Sequence, residues 1–131
     1  MKRNPQITVI MLMALFLGAC SPKLKMTGTW NIDRYETTVN GQQKLTLTNI
    51  GTITFKKKGE GDKNLHYTVY GTSKTDSLPF AWYRTGNFIA IESSGSDLSK
   101  TWVIRSFKKK EQKWKSAAGT NSVQTLDISR H

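Results

Sequence analysis

Several residue types that commonly carry chemistry are scarce in this sequence. The 131 residues include one cysteine, two histidines and three prolines. A lone thiol closes no intrachain disulfide, so the fold must rest on its core. His131 is the last residue, and His66 lies among threonine and tyrosine, where a neutral, partly exposed imidazole is the simplest role. The nine acids are scattered, several of them at turn positions (Asp62, Asp76, Asp97, Glu111). No carboxylate pair for acid–base work and no spacing of metal ligands stands out. Serine and threonine are plentiful, but no motif of an activated nucleophile accompanies them. The reading at this level is a non-enzymatic protein with no catalytic residue, metal or cofactor to assign.

Long apolar runs are also lacking, with one exception. Ile7 to Leu17 is uncharged and almost wholly apolar, behind the basic start Met1-Lys2-Arg3. As a helix it would reach roughly 17 Å, against a hydrocarbon core of about 30 Å, so it cannot span a bilayer alone. A basic start, a short apolar run and small residues before a cut site form a secretory signal peptide. The segment Leu17-Gly18-Ala19-Cys20 resembles the lipobox of bacterial lipoproteins, in which the cysteine thiol is acylated and the chain is cut just before it. The alternative is a buried cysteine ending a core helix. The resemblance implies a signal peptide at 1–19, a lipidated tether at 20–27 beginning with Cys20, and one domain at 28–131. Several palmitate-type chains on Cys20 would hold the protein stably at a membrane.

Removing the first nineteen residues leaves 18 basic side chains against 9 acidic ones. That balance favours anionic partners, either lipid phosphates or acidic envelope glycans, and export argues against nucleic acid. The lysine runs at 56–58 and 108–110 and the pair Lys113 and Lys115 would form an anion-facing surface if the fold gathers them at one end. Otherwise they serve solubility.

From Gly28 onward the pattern is strand-like. Period-2 alternation recurs in 28–36, 44–48, 51–57, 64–72, 78–84, 88–92, 100–109, 113–117 and 122–129, with turn signals between and no convincing helical period. Asn40-Gly41 is a hairpin signal, and Pro79 belongs at a strand start or edge. In the first strand Trp30 and Ile32 share one face and Tyr35 the other; in 100–109, Trp102 and Ile104 oppose Phe107. Eight or nine short antiparallel strands make a sandwich or a closed barrel, and about eight on roughly 100 residues suits an up-and-down barrel.

The stretches GTWNIDRYE (28–36), NIGTITFKKKGEG (49–61), FAWYRTGNFIAIE (80–92) and TWVIRSFKKK (101–110) together resemble the lipocalin-like lipoproteins of Bacteroidetes-type bacteria. The resemblance implies a small, all-β, up-and-down lipocalin-like barrel of about eight strands, with Trp30 as the plug of its closed end. Longer lipocalins add a helix after the barrel and an arginine over that tryptophan; this chain has no room for the helix, and Arg105 and Arg130 are the arginines available. The resemblance also implies an envelope location at the outer membrane. Ser21-Pro22-Lys23 lacks the acids that mark surface export in some such bacteria, which points to the periplasmic face.

Alternation places Leu65, Tyr67, Val69, Phe80, Trp82, Trp102 and Ile104 inward. Tyr67, Phe80, Trp82 and Trp102 are then candidates to bind a small hydrophobic or amphipathic ligand, with hydroxyl and indole N–H as polar handles. The competing reading fills the barrel with these same rings and leaves function to the loops, as in an inhibitor or accessory subunit.

Overall fold

A computed structural model describes residues 25–39, 44–116 and 122–131. The apolar run, Cys20, the tether through residue 24 and the Asn40-Gly41 signal lie outside the described residues. Nine extended segments follow one another: β1 (Gly28–Val39), β2 (Lys44–Lys56), β3 (Glu60–Val69), β4 (Thr72–Asp76), β5 (Phe80–Thr85), β6 (Phe88–Glu92), β7 (Thr101–Phe107), β8 (Glu111–Ser116) and β9 (Ser122–Ser129). They form one sheet ordered β2-β1-β9-β8-β7-β6-β5-β3-β4, and β2 also pairs with β3. That extra pairing closes the sheet on itself. The only helical piece among the described residues is a 3₁₀ turn, Lys57–Gly59. None of their helices is long and apolar enough to cross a membrane.

β4 and β5 are one strand in two pieces. Leu65 pairs with Asp76 and Gly61 with Phe80, which is the same register carried across the gap. The interruption at Ser77-Leu78-Pro79 has a local cause. Pro79 has no N–H to give a ladder, and Asp76 Oδ1 accepts the Leu78 amide at 3.2 Å, bending the chain as an Asx turn. Counted this way the protein is an eight-stranded antiparallel up-and-down barrel, closed where β1 meets β9.

Alternation built most strands as expected, with two exceptions. The ladder slips between Ile32 and Arg34 in β1 and between Ile104 and Ser106 in β7. Each slip adds a residue and reverses which face the following side chains occupy. Tyr35 therefore joins Trp30 inside, and Phe107 packs edge-on to Trp30 at 6.1 Å, where simple alternation put both on opposite faces from their neighbours. The strand expected over 64–72 instead starts at Glu60 and stops at Val69, because Tyr70 and Gly71 both take positive φ (48° and 81°) in a tight turn. The two strands expected at 44–48 and 51–57 are one strand, β2, bent at Asn49 and Gly51. A Cβ on Gly51 would stand 2.0 Å from the Asn64 carbonyl oxygen, so this crossing requires glycine.

Reading the registers sideways gives the core. Ile104, Trp114, Leu126, Tyr35 and Leu47 lie opposite one another through β7, β8, β9, β1 and β2, forming an inward belt. Trp30, Trp102 and Trp114 are at most 1% exposed. Phe55 makes edge contacts with Phe80, Trp82 and Trp114 at ring separations of 5.3, 5.2 and 5.9 Å. An eight-stranded barrel is just wide enough for side chains to fill it, and here large rings do so.

Candidate functional site

The up-and-down topology gives the barrel two unlike ends. At one end, the β2–β3, β5–β6 and β7–β8 turns meet the start of β1 and the end of β9. Trp30 closes this end. Its indole N–H donates to the Met26 carbonyl at 2.9 Å, and the Arg130 guanidinium lies 4.1 Å over its ring. Arg130 donates onward to the carbonyls of Thr27 and Lys25 at 2.9 Å each, and of Lys109 at 3.2 Å. Trp30 is buried at this end, and Arg130, rather than Arg105, lies over its ring.

The opposite, mouth end carries a feature that alternation did not reveal. Lys63 faces inward from β3 and its side chain is wholly buried. Its Nζ sits 3.1 Å from Asp76 Oδ1 and donates to Ser93 Oγ at 2.8 Å. Ser93 Oγ in turn donates to the Pro79 carbonyl at 3.0 Å, and Ser96 donates to Asp76 Oδ2 at 2.6 Å. The loop after β6 is thereby fastened against the β4–β5 break. Further ties hold the same loop: Leu98 is buried and accepts the Trp102 indole N–H at 3.1 Å, and Ser99 Oγ accepts the Ser93 amide at 3.0 Å. Every polar atom of the Lys63–Asp76 pair that these contacts involve has a partner, as a buried charge requires. With two acceptors on Lys63 Nζ and donors on both Asp76 oxygens, the network can hold the loop in place.

Above this network Tyr67 donates to Asp97 at 2.9 Å, and Lys74 lies 3.9 Å from the same carboxylate. Burial pushes the Tyr67 hydroxyl well above the usual tyrosine range, with the Asp97 hydrogen bond adding to it. Tyr35 is pushed up to about 12, by burial first and then by the Asp97 charge. Lys100, which donates to Gln124 Oε1, is held below the usual lysine range by burial. Leu45, Leu47 and Val69 are half-buried, and Leu47 and Tyr67 both pack against the core.

The four aromatic candidates do not form one site. Phe80 and Trp102 are buried core, Phe80 lying against Gly61 across the ladder. Trp82 is half-buried near the closed end, its N–H shared by the Lys56 and Glu60 carbonyls at 3.1 and 2.8 Å. Tyr67 alone reaches the mouth. Lys63, the residue that organises the mouth, was missed because lysine reads as exposed. Its signal was parity, since it stands two before Leu65 and four before Tyr67.

Two concavities stand out among the described residues, and outward-facing side chains line most of each. One, of about 520 Å³, lies over the β3–β5–β6 wall, where Ala81 is flanked by Glu60 and Glu92. The other, of about 360 Å³, crosses β1, β9, β8 and β7 at the two ladder slips and holds Arg34, Lys113, Lys115 and Arg105 with Glu36 and Asp127. Burial alone would push Glu36 up, but the Arg34 hydrogen bond and charge, with Lys44 and Thr46, hold it below the usual carboxylate range. Lys113 and Lys115 therefore belong to the barrel wall rather than to an end. Among the described residues, no three His, Cys, Asp or Glu side chains gather in a way that would hold a metal ion.

The class these features define is a small, closed, lipocalin-like β-barrel with a ring-filled interior and a tied-down loop at its mouth. No family model matches the chain, and no curated protein does. Among solved structures it is similar to the crystal structure of an uncharacterized protein from Bacteroides eggerthii, at 12% identity and a TM-score of 0.50, covering 81% of this chain and 100% of that one. At that identity the likeness concerns the fold.

Proposed function

We propose that this chain is a lipid-anchored, non-enzymatic binding module of the cell envelope that recognises its partner through exposed surfaces rather than through a deep internal pocket. One observation carries the reading: Trp30, Trp102, Trp114 and Phe55, each at most 1% exposed, occupy the volume in which a barrel of this size would hold a ligand. The anchor is Cys20, acylated at the outer membrane on its periplasmic face, by the lipobox-like Leu17-Gly18-Ala19-Cys20. Action as an inhibitor or accessory subunit through exposed loops suits the mouth rim, where Tyr70 stands 85% exposed at the tip of the β3–β4 turn. A second reading, a small amphipathic ligand, is favoured by Leu47 and Tyr67, half-buried residues packed against the core that combine apolar surface with one hydroxyl.

Native mass spectrometry of the protein purified from cells without its anchor separates the two. Bare protein under several conditions supports surface recognition; a co-purifying adduct of lipid size, lost with Tyr67→Ala, supports the mouth ligand and overturns the first reading. Incorporation of a palmitate analogue that disappears with Cys20→Ala tests the anchor independently.

A further inference from the structure

The lysine runs do gather, and they do so at the closed end. Lys56 ends β2 and Lys57-Lys58 open the β2–β3 turn, Lys108-Lys109-Lys110 form the β7–β8 turn, and all six side chains are exposed. Between them, around the barrel, stands the β5–β6 turn, which carries Arg84 before it and Phe88 after it. Phe88 is 51% exposed, and its diagonal neighbour Tyr83 on the same outer face is 61% exposed. Compensating acid is sparse here: Asp62 pairs with Lys56, and Glu60 and Glu111 stand at the first positions of β3 and β8. The chain enters the barrel at this same end, where Arg130 pins the carbonyls of Lys25 and Thr27.

We infer that the closed end is a membrane-docking face, which sets its basic turns on the headgroups of anionic phospholipid with Phe88 and Tyr83 at the interface. The charge selects the partner. Exposed lysines at three-residue density attract anionic lipid within a Debye length of about 8–10 Å of the surface, and aromatic rings favour the headgroup boundary. Chain length agrees. Lys25 lies five residues beyond Cys20, and five extended residues span at most roughly 18 Å, so an acyl anchor on Cys20 would hold this end at the leaflet. The orientation rests on the anchor reading proposed above, whereas the lipid affinity of the face does not. Docking in this way would present the mouth, with its loop and Tyr70, away from the bilayer.

The test uses residues 20–131 with Cys20→Ser, which retain every strand of the closed barrel. Co-sedimentation is measured with phosphatidylcholine vesicles, alone and with about 30% phosphatidylglycerol, at about 0.1 and 0.5 M salt. Binding is expected only with the anionic lipid and only at the lower salt. The triple variant Lys57→Gln, Lys109→Gln, Lys110→Gln should bind about tenfold to a hundredfold more weakly. The triple Lys44→Gln, Lys113→Gln, Lys115→Gln removes the same charge elsewhere and should stay within about threefold of the parent. Phe88→Ala should weaken binding severalfold at unchanged salt dependence. Equal losses in the two triples would reduce the effect to net charge and overturn the docking face. So would a lack of anionic-vesicle binding, or retention by an acidic polysaccharide but not by vesicles. Because the tested protein carries no acyl group, failure of palmitate labelling would refute the anchor without touching this result.

Discussion

Arg130 and Trp30 stand 100 positions apart in the sequence, yet they are stacked at 4.1 Å, the guanidinium lying over the indole face. This stack joins the first strand to the last residues of the chain. The three carbonyls that Arg130 also reaches fix the chain before β1 and the β7–β8 turn. Arginine suits the place because its planar fork can stack and donate in several directions at once, which an ammonium cannot. Arg130→Ala is expected to cost about 2–4 kcal/mol, the sum of a stacked cation and charged hydrogen bonds. Arg130→Lys should recover less than half of that. Urea unfolding followed by tryptophan fluorescence checks both, and full recovery with lysine would mean that charge alone is what the site needs.

The Lys63–Asp76 pair supports a second expectation. Both groups are buried, so deleting one leaves the other charged without its counterpart. Lys63→Met should therefore destabilise by about 3–5 kcal/mol. Adding Asp76→Asn removes the stranded charge while keeping an acceptor for the Leu78 amide, and should return at least about 1 kcal/mol. A double variant as unstable as the two single losses added together would show that the pair is not coupled. Proteolysis within Ser93–Lys100 should accelerate in Lys63→Met, since the loop loses its Ser93 tie.

Much of the barrel is legible in the sequence, and what escapes has physical causes. Ile53, Phe55 and Leu65 alternate with polar neighbours and are all buried. Tyr35 and Phe107 escaped because an extra residue at a ladder slip changes parity without leaving a residue-type signature. The β4–β5 break was half visible in Pro79, but the Asx turn at Asp76 depends on a lysine 13 positions earlier and a serine 20 positions later. The lysine runs were visible as runs; that two turns share an end became evident only once β2 pairs with β3 and β7 with β8. The aromatic candidates were correctly placed inward as a group, yet facing inward does not distinguish filler from pocket. That distinction depends on how four large rings share one narrow volume.

Gly61 and Phe80 give a test of how tightly that volume is filled. They pair directly across β3 and β5, and a Cβ on Gly61 would fall 2.2 Å from the Phe80 ring. The outer edge of the ring lies over the glycine, covering backbone that would otherwise be bare. Phe80→Ala should cost about 3–5 kcal/mol, as for other buried aromatics. Gly61→Ala should be destabilising in the parent protein, by about 1–3 kcal/mol from overpacking. In the Phe80→Ala background the same change should be neutral or favourable, because the obstructing ring is gone and alanine suits a strand better than glycine. Denaturation midpoints of the four proteins complete the cycle, and additive costs would place the ring elsewhere than over Gly61.

Tyr35 links the core belt to alkaline stability. It is 5% exposed, and burial together with the Asp97 charge disfavours its phenolate. Below pH 10 both folded and unfolded chains keep this proton. Between 10 and about 12 the unfolded chain releases it while the folded chain retains it, so stability falls as pH rises. A displacement of two units corresponds to about 2.7 kcal/mol at the upper limit of the window. Tyr35→Phe cannot ionise and should lose less stability than the parent between pH 9 and about 11.5, by about 2 kcal/mol. Other groups titrate over the same range, so the difference between the two proteins isolates this hydroxyl. Denaturation midpoints at successive pH values measure it, and the tyrosinate absorbance near 295 nm supplies an independent reading in the folded state. If the parent and Tyr35→Phe lose stability in parallel, Tyr35 is not held neutral by the fold, and its place in the buried belt beside Leu126 and Leu47 would have to be redrawn.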